Sequence, residues 1–122
     1  MTAAALEPNP YESACPTRTI LDRIGDRWTV LVLLLLADRT HRFTELSRAI
    51  RGISPKVLTS TLRSLERDGL ITREVYAEVP PRTEYSLTPL GGTLVEAVSA
   101  LEAWARTHID DVMTARSRFD AR

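Results

Sequence analysis

The stretch that most constrains the fold is residues 53–71, ISPKVLTSTLRSLERDGLI, because it specifies one helix together with both of its ends. Ser54 is a favourable N-cap residue, and Pro55 suits the first helical position, where its missing amide proton costs nothing. Gly69 readily takes the left-handed conformation that ends a helix. Between these ends, leucines at i, i+4 and i+7 predict an apolar stripe that packs against a core: Leu58, Leu62 and Leu65.

A second face of this helix carries three cations, two hydroxyl groups and no acid: Lys56, Thr59, Ser60, Arg63 and Arg67. Arginine presents a planar fork of donors to phosphates or base edges, and serine and threonine bond to both. Most charged helix faces are simply solvated, although such faces usually mix both signs. The flanking segments therefore decide between a solvated helix and a DNA-reading helix.

The charge of the chain is unevenly distributed. The 122 residues carry no net charge and are enough for one domain with a single core. Residues 39–67, however, hold seven bases and two acids, an excess of five positive charges. A basic middle on a neutral chain favours a local anion-binding face over general adhesion to polyanions.

Two helices are predicted ahead of the basic segment, after a flexible arm over residues 1–14. The first begins at Pro16 and ends near Ile24, and Asp26 caps the second, which covers residues 27–37. The second helix is apolar all round, which predicts burial at the centre of the domain 15–122. The first helix has a single apolar side, formed by Ile20, Leu21 and Ile24.

A helix-turn-helix is predicted over about residues 44–68. Thr44 caps a short helix that ends near Ile50, and a tight turn containing Gly52 leads into the helix from Pro55 to Asp68. Two helices joined by a short, glycine-containing turn form this motif. Its second helix enters the major groove of DNA, with its N-terminal part against the bases.

A β-hairpin is predicted over about residues 70–88, because the sequence period there changes to two. Pro80 and Pro81 interrupt the alternation and mark the tip, and Arg82 follows them. Arg82 is interpreted either as a contact to phosphate or the minor groove, or as a solvated arginine. The predicted inner side comprises Ile71, Val75, Ala77, Val79, Tyr85 and Leu87, and Arg73 is the exception to the alternation.

A last helix is predicted over about residues 89–113, capped by Thr88 and weakened by Gly91 and Gly92, with a frayed tail from Met113. It carries an apolar seam that begins after the core is complete, which indicates a partner. A dimer formed with the first helix is one interpretation, and folding back onto the same domain is the alternative. The predicted seam is Leu94, Val98, Leu101, Trp104, Ala105, His108 and Val112.

Together these elements predict a mainly α fold with a small β-hairpin wing: a winged helix-turn-helix with N- and C-terminal dimerisation helices. A dimer would place two copies of the 55–68 helix in successive major grooves, roughly 34–36 Å apart. The residues predicted to face bases are Thr59, Ser60 and Arg63. Those predicted to hold the DNA backbone are Ser54, Lys56, Arg51 and Arg82, with Arg42 and Arg67 as further candidates.

Five segments in order resemble the HxlR family of bacterial winged-helix transcription regulators, relatives of the MarR group. They are CP at 15–16, IGDRW at 24–28, HRFTEL at 41–46, the 53–71 helix, and VPPRTEYSLTPLG at 79–91. The resemblance runs from Cys15 to about Asp110. It implies a homodimer on a palindromic operator, with the 55–68 helix as reader, the hairpin at 79–82 as wing, and the terminal helices as dimer interface. It also implies a redox- or electrophile-sensing role for a cysteine just before the first helix.

Cys15 is the single cysteine of the chain, and it precedes the first helix. Helix amides and the cation of Arg18 favour a thiolate there, whereas the alternative is an unreactive buried cysteine. An internal disulfide is impossible. The reactions that remain are a Cys15–Cys15 bond between subunits, a mixed disulfide with a small thiol, direct oxidation and alkylation.

An enzyme is not predicted, because the chain has no phosphate-binding glycine loop, HExxH or GxSxG motif. Cys15, His41 and His108 are too dispersed to indicate catalysis or a metal site, and no cofactor is expected. The longest apolar run, residues 30–37, is too short to span a membrane, and without a signal peptide a cytoplasmic protein is expected. Two alternatives remain open: a regulator switched by a small apolar ligand bound between the terminal helices and the core, and an interaction adaptor that does not bind DNA.

Overall fold

The computed structural model describes Asn9, Tyr11, Glu12 and residues 15–122, so most of the predicted arm lies outside the described residues. Five helices and three strands follow one another as α1 (Pro16–Gly25), α2 (Arg27–Asp38), β1 (His41–Arg42), α3 (Phe43–Ala49), α4 (Pro55–Arg67), β2 (Ile71–Tyr76), β3 (Arg82–Leu87) and α5 (Pro89–Asp120). The predicted winged helix-turn-helix is confirmed.

Helix α2 lies at the centre and contacts α1, α4, α5 and β3. The side chains of Val32 and Leu33 are fully buried. The prediction that α2 is buried on every side is wrong, however, because Leu31 is 40% exposed and Leu34 is half-buried. The neighbouring elements of the single chain cover only part of the helix circumference. The residues that form the buried cluster with α2 include Leu46, Leu58, Leu62, Leu65, Ile71 and Val98.

Side-chain caps begin three of the helices, as predicted. The Asp26 carboxylate accepts from the Trp28 amide at 2.9 Å, and the Ser54 hydroxyl accepts from the Val57 amide at 3.1 Å. Thr88 caps α5 in the same way. The predicted Thr44 cap is wrong, because α3 begins at Phe43. There the Glu45 carboxylate, already inside the helix, accepts from the Arg42 amide at 2.8 Å and satisfies the helix start.

The predicted hairpin belongs to a three-stranded antiparallel sheet of order β1-β3-β2, in which His41 pairs with Tyr85. The sequence pattern predicts no strand at residues 41–42, which form β1. The predicted inner face is confirmed at Ile71, Tyr85 and Leu87 but is wrong towards the tip, because Val75 is 56% exposed and Val79 fully exposed. The outer half of the hairpin therefore projects from the core as a wing instead of packing across it.

Helix α5 spans 32 residues, roughly 48 Å, and continues past the predicted end near Met113 through the tail that was expected to fray. Its first part completes the core: Val98 is fully buried and Leu94 packs against the same cluster. Val98 is therefore wrong as a dimer contact, since its side chain is enclosed within its own chain. Neither α5 nor any other helix of the described residues is long and apolar enough to cross a lipid bilayer.

Gly91 lies where α5 crosses the chain that leaves α4. A Cβ atom at this position would lie 2.0 Å from the carbonyl oxygen of Leu70, whereas one at Gly92 would meet nothing within 4 Å. The expectation that both glycines merely weaken the helix is therefore wrong for Gly91, because the close packing of α5 depends on the missing side chain.

These two adjacent glycines provide a matched test. Gly91→Ala should destabilise the protein by about 1–3 kcal/mol, because backbone must move to admit the methyl group. Gly92→Ala should stabilise it by about 0.5–1 kcal/mol through the higher helix propensity of alanine. Urea unfolding followed by circular dichroism measures both changes. Equal effects of the two substitutions would show that the close approach at Gly91 is not important for stability.

Candidate DNA-binding surface

The orientation of α4 is set by its leucines. Leu58, Leu62 and Leu65 are buried in the core. The opposite side, called here the outer face, is exposed to solvent and consists of Lys56, Thr59, Ser60, Arg63 and Arg67. The predicted division of this helix into a core side and a cationic, hydroxyl-bearing side is confirmed.

The outer face lines a shallow concavity of about 730 Å³, together with Ser64 and Glu66. Within the described residues, no carboxylate lies within ion-pairing distance of Lys56, Arg63 or Arg67. Their donors are therefore available to an external anion. Cations and hydroxyl groups together can bond to both phosphates and base edges.

The segments flanking α4 hold further predicted contacts. Gly52 has a φ of +88°, which permits the tight turn that exposes Arg51 before α4. The Ser54 oxygen accepts a hydrogen bond as the helix cap, and within the described residues its hydroxyl group donates to no other group. Arg42 is exposed at the end of β1 and lines a cavity of about 360 Å³ beside the wing tip.

Arg82 is not the free basic tip that the sequence analysis considered. Its guanidinium lies 3.0 Å from a Glu78 oxygen and 3.1 Å from a Glu84 oxygen, and it covers the Tyr76 ring at 4.2 Å. The Tyr76 hydroxyl donates to Glu74, and this bond raises the pKa of the tyrosine above its usual value. With two carboxylates around it, Arg82 holds the hairpin together and is already neutralised.

Arg73 is a cation beside the outer face that the sequence analysis recorded only as an exception to the strand pattern. Its Nε lies 3.6 Å from an oxygen of Glu66 on α4. The two residues line a cavity of about 410 Å³ between α4 and the sheet, with Thr59, Leu62, Arg63 and Tyr85. The sequence does contain a signal for this site, because Arg73 occupies a strand position where the alternation predicts an apolar residue.

Cys15 occupies the N-cap position of α1 and is only 8% exposed. The backbone amide of Arg18 lowers the pKa of the Cys15 thiol below its usual value, with smaller contributions from Asn9 and Thr17, while burial opposes the shift. A low thiol pKa raises the thiolate fraction near neutral pH, and the thiolate is the reactive form.

Helix α1 is joined to the end of the DNA-facing helix. The Arg23 side chain donates to the carboxylate of Asp68, the C-cap residue of α4, at 3.0 Å, and both groups are largely buried. Ile20 and Leu21 of the same helix are exposed. Cys15 and the end of α4 are therefore connected through one short helix.

The two histidines lie on separate elements. His41 is buried in β1 with its Nδ1 2.8 Å from the Arg39 carbonyl oxygen, and His108 stacks on Trp104 in α5 with ring centroids 4.7 Å apart. Within the described residues, no three cysteine, histidine or acidic side chains are grouped as metal ligands. His41 is a hydrogen-bonded structural residue.

A helix-turn-helix that presents a cationic recognition helix, followed by a β-hairpin wing, defines the class of winged-helix DNA-binding proteins. Residues 23–113 match the family model described as HxlR-like helix-turn-helix. The chain belongs to this HxlR-like family of transcriptional regulators.

The similarity to individual proteins extends over most of the chain. An uncharacterized HTH-type transcriptional regulator, YtfH of Escherichia coli strain K12, is 44% identical over 110 residues, which cover 90% of this chain and 87% of YtfH. The structure of YtfH from Salmonella typhimurium superposes with a TM-score of 0.86 at 42% identity, covering 91% of this chain and 99% of that one. The redox regulator HypR in its reduced form gives 0.75 at 38% identity, covering 81% and 98%.

These similarities identify the chain as a DNA-binding transcriptional regulator.

Proposed function

We propose that this protein acts as a homodimer that places two copies of α4 in successive major grooves of a palindromic operator, roughly 34–36 Å apart. The observation that carries the proposal is the outer face of α4, whose cations are unpaired within the described residues. Thr59, Ser60 and Arg63 face the bases. The DNA backbone is held by Lys56, Ser54 and Arg51, with Arg42 and Arg67 at the margins.

Exposed apolar side chains on both terminal helices support the dimer. On α5, Leu101 and Trp104 are each 58% exposed, and Ile20 and Leu21 on α1 are also accessible. A soluble chain rarely leaves such a seam uncovered, and a second copy would cover it with the same residues. The remaining proposed contacts of the seam are Ile24, Leu94, Ala105, His108 and Val112.

We further propose that modification of Cys15 switches DNA binding. The resemblance to HypR, a protein described as a redox regulator, supports this role, as does the lowered pKa of the thiol. A peroxide would serve as the oxidant: the thiolate attacks one peroxide oxygen, the O–O bond breaks, and water or an alcohol leaves. A second thiol then displaces water from the sulfenic acid to form a disulfide. That thiol is Cys15 of another subunit or a small molecule, because the chain has a single cysteine.

The path from Cys15 to the DNA runs through α1. Because the Cys15 side chain is buried, a bulky group or a disulfide bond on its sulfur would displace the start of α1. The ion pair of Arg23 with Asp68 would then transmit that movement to the end of α4. Because two copies of α4 must match the groove spacing together, a small displacement in each subunit is enough to weaken binding.

The proposed face of α4 is tested by two substitutions. Arg63→Ala should cost about 1–3 kcal/mol of binding and relax the preference at one base position. Lys56→Ala should weaken all sequences alike and reduce the slope of log affinity against log salt by about two, roughly one for each subunit of the dimer. Arg39→Ala is the control, because this arginine lies off the outer face and pairs with Glu45. Absence of duplex binding at low salt would contradict the proposal and favour the interaction adaptor.

The dimer is tested on the α5 seam. Leu101→Glu should convert the dimer to a monomer and abolish tight operator binding, because a carboxylate would be buried at the interface. Ala103→Glu is the matched control, since this exposed residue lies on the opposite side of α5. Analytical ultracentrifugation measures the oligomeric state of each variant, and circular dichroism checks that it is folded. A Leu101→Glu protein that remains dimeric would place the interface elsewhere.

The switch is tested by the chemistry of Cys15. Its alkylation rate should rise with pH to a plateau reached below the range of an ordinary thiol, because the folded protein lowers its pKa. Peroxide with a small thiol should lower DNA affinity in the wild type and leave Cys15→Ser unaffected. Asp68→Asn should keep the cysteine chemistry and reduce its effect on DNA. An unmodified Cys15 with unchanged affinity would point to the ligand-switched alternative.

A further inference from the structure

The ion pair between Arg73 and Glu66 joins the wing to the recognition helix. Arg73 stands near the start of β2, opposite Tyr85 in the strand register, and Glu66 is the next-to-last residue of α4. Both side chains are accessible, at 48% and 39% of their full exposure. Arg73 thus shares a cavity with Thr59 and Arg63 of the outer face.

The pair is weak enough to exchange partners. Its Nε–Oε1 separation of 3.6 Å is longer than an N–H···O hydrogen bond, so the contact is electrostatic only. Exposed pairs of this kind contribute about 0–1 kcal/mol. The guanidinium can therefore turn towards a stronger acceptor at little cost, and phosphate oxygens match its planar donors. Arg82, held between two carboxylates and a tyrosine ring, has no such freedom.

Glu66 makes a cation at this position necessary. It is the acid that lines both cavities along α4, among residues proposed to face DNA. An uncompensated carboxylate there would repel the phosphates that Arg63 and Lys56 attract. Arg73 neutralises this carboxylate in the free protein. It lies beside Thr59 and Arg63, where DNA is proposed to bind.

We propose that Arg73 contacts a backbone phosphate at the edge of the major groove, which extends the DNA-binding surface from α4 onto the root of the wing. This inference rests on the proposed insertion of α4 into the groove. It assigns the wing's contribution to strand β2 instead of the hairpin tip, where Arg82 is already neutralised.

The test uses the full-length protein and a duplex selected from a randomised pool with the wild type. Salt titrations of binding compare Arg73→Gln, Glu66→Gln, the double substitution and Arg39→Gln. Arg39 is a matched control because its pair with Glu45 is similarly exposed, at 55% and 38%, and lies off these cavities. Loss of one phosphate contact in each subunit, two per dimer, should reduce the log–log slope by about 1.8, with affinity at low salt falling several-fold.

The single and double substitutions separate a phosphate contact from a masking role. Glu66→Gln should raise affinity with the slope kept, and the double substitution should still show the reduced slope. Restoration of the wild-type slope in the double substitution would mean that Arg73 only masks Glu66, and would overturn the proposal. An unchanged slope in Arg73→Gln, or an equal loss in Arg39→Gln, would overturn it as well.

The outcome also distinguishes this inference from the proposed function. If Arg63→Ala and Lys56→Ala weaken binding while Arg73→Gln does not, only the assignment of Arg73 fails. If none of the three substitutions changes DNA binding, the assignment of the outer face of α4 as the recognition face is wrong. Urea unfolding of each variant checks that substitution of these exposed side chains leaves the fold intact.

Discussion

The burial of three leucines of α4 against the core is the interaction on which the rest of the structure depends. Leu58, Leu62 and Leu65 are at most 1% exposed. Each fully buried leucine contributes about 1.5–3 kcal/mol, well above the value of an exposed polar contact. Because side chains project from a helix at fixed angles, burying this side leaves the opposite side in one orientation. The core therefore sets the orientation of the outer face, whose residues are proposed to meet DNA and contribute little to stability themselves.

The end of α4 and the start of α5 form one junction. The Thr88 hydroxyl donates to the Gly69 carbonyl oxygen at 2.7 Å and also accepts from the Gly91 amide. Gly91 lies against the Leu70 carbonyl, and Asp68 binds α1 at the same place. The recognition helix and both terminal helices thus meet within a few residues. A dimer formed through the terminal helices would consequently fix the spacing of two recognition helices, and a displaced α1 would alter it.

The sequence predicted what depends on neighbouring residues and missed what depends on distant ones. Caps such as Ser54 act within one helical turn, and the spacing of the leucines in α4 is equally local. Both features could therefore be predicted from the sequence. The neutralisation of Arg82 is a local exception: Glu78 and Glu84 lie only four and two residues away, but only the folded hairpin brings both carboxylates to the guanidinium. The pairing of β1 with β3 and the contact of Gly91 with Leu70 join segments about twenty or more residues apart, and local patterns carry no record of them. Val98 was assigned to a partner because the size of the core was underestimated.

The selective pairing of arginines gives a chain of zero net charge its DNA-binding face. Acids neutralise Arg23, Arg39 and Arg82, which lie on the body and the wing, whereas within the described residues Lys56 and Arg63 meet no carboxylate. The cations of the outer face of α4 therefore keep their charge. A single such face holds few phosphates, and the remainder of the chain carries the compensating negative charge, which adds no general attraction to DNA. Tight binding would then come from two faces acting together, so in the proposed dimer the affinity for DNA depends on how the two subunits are arranged.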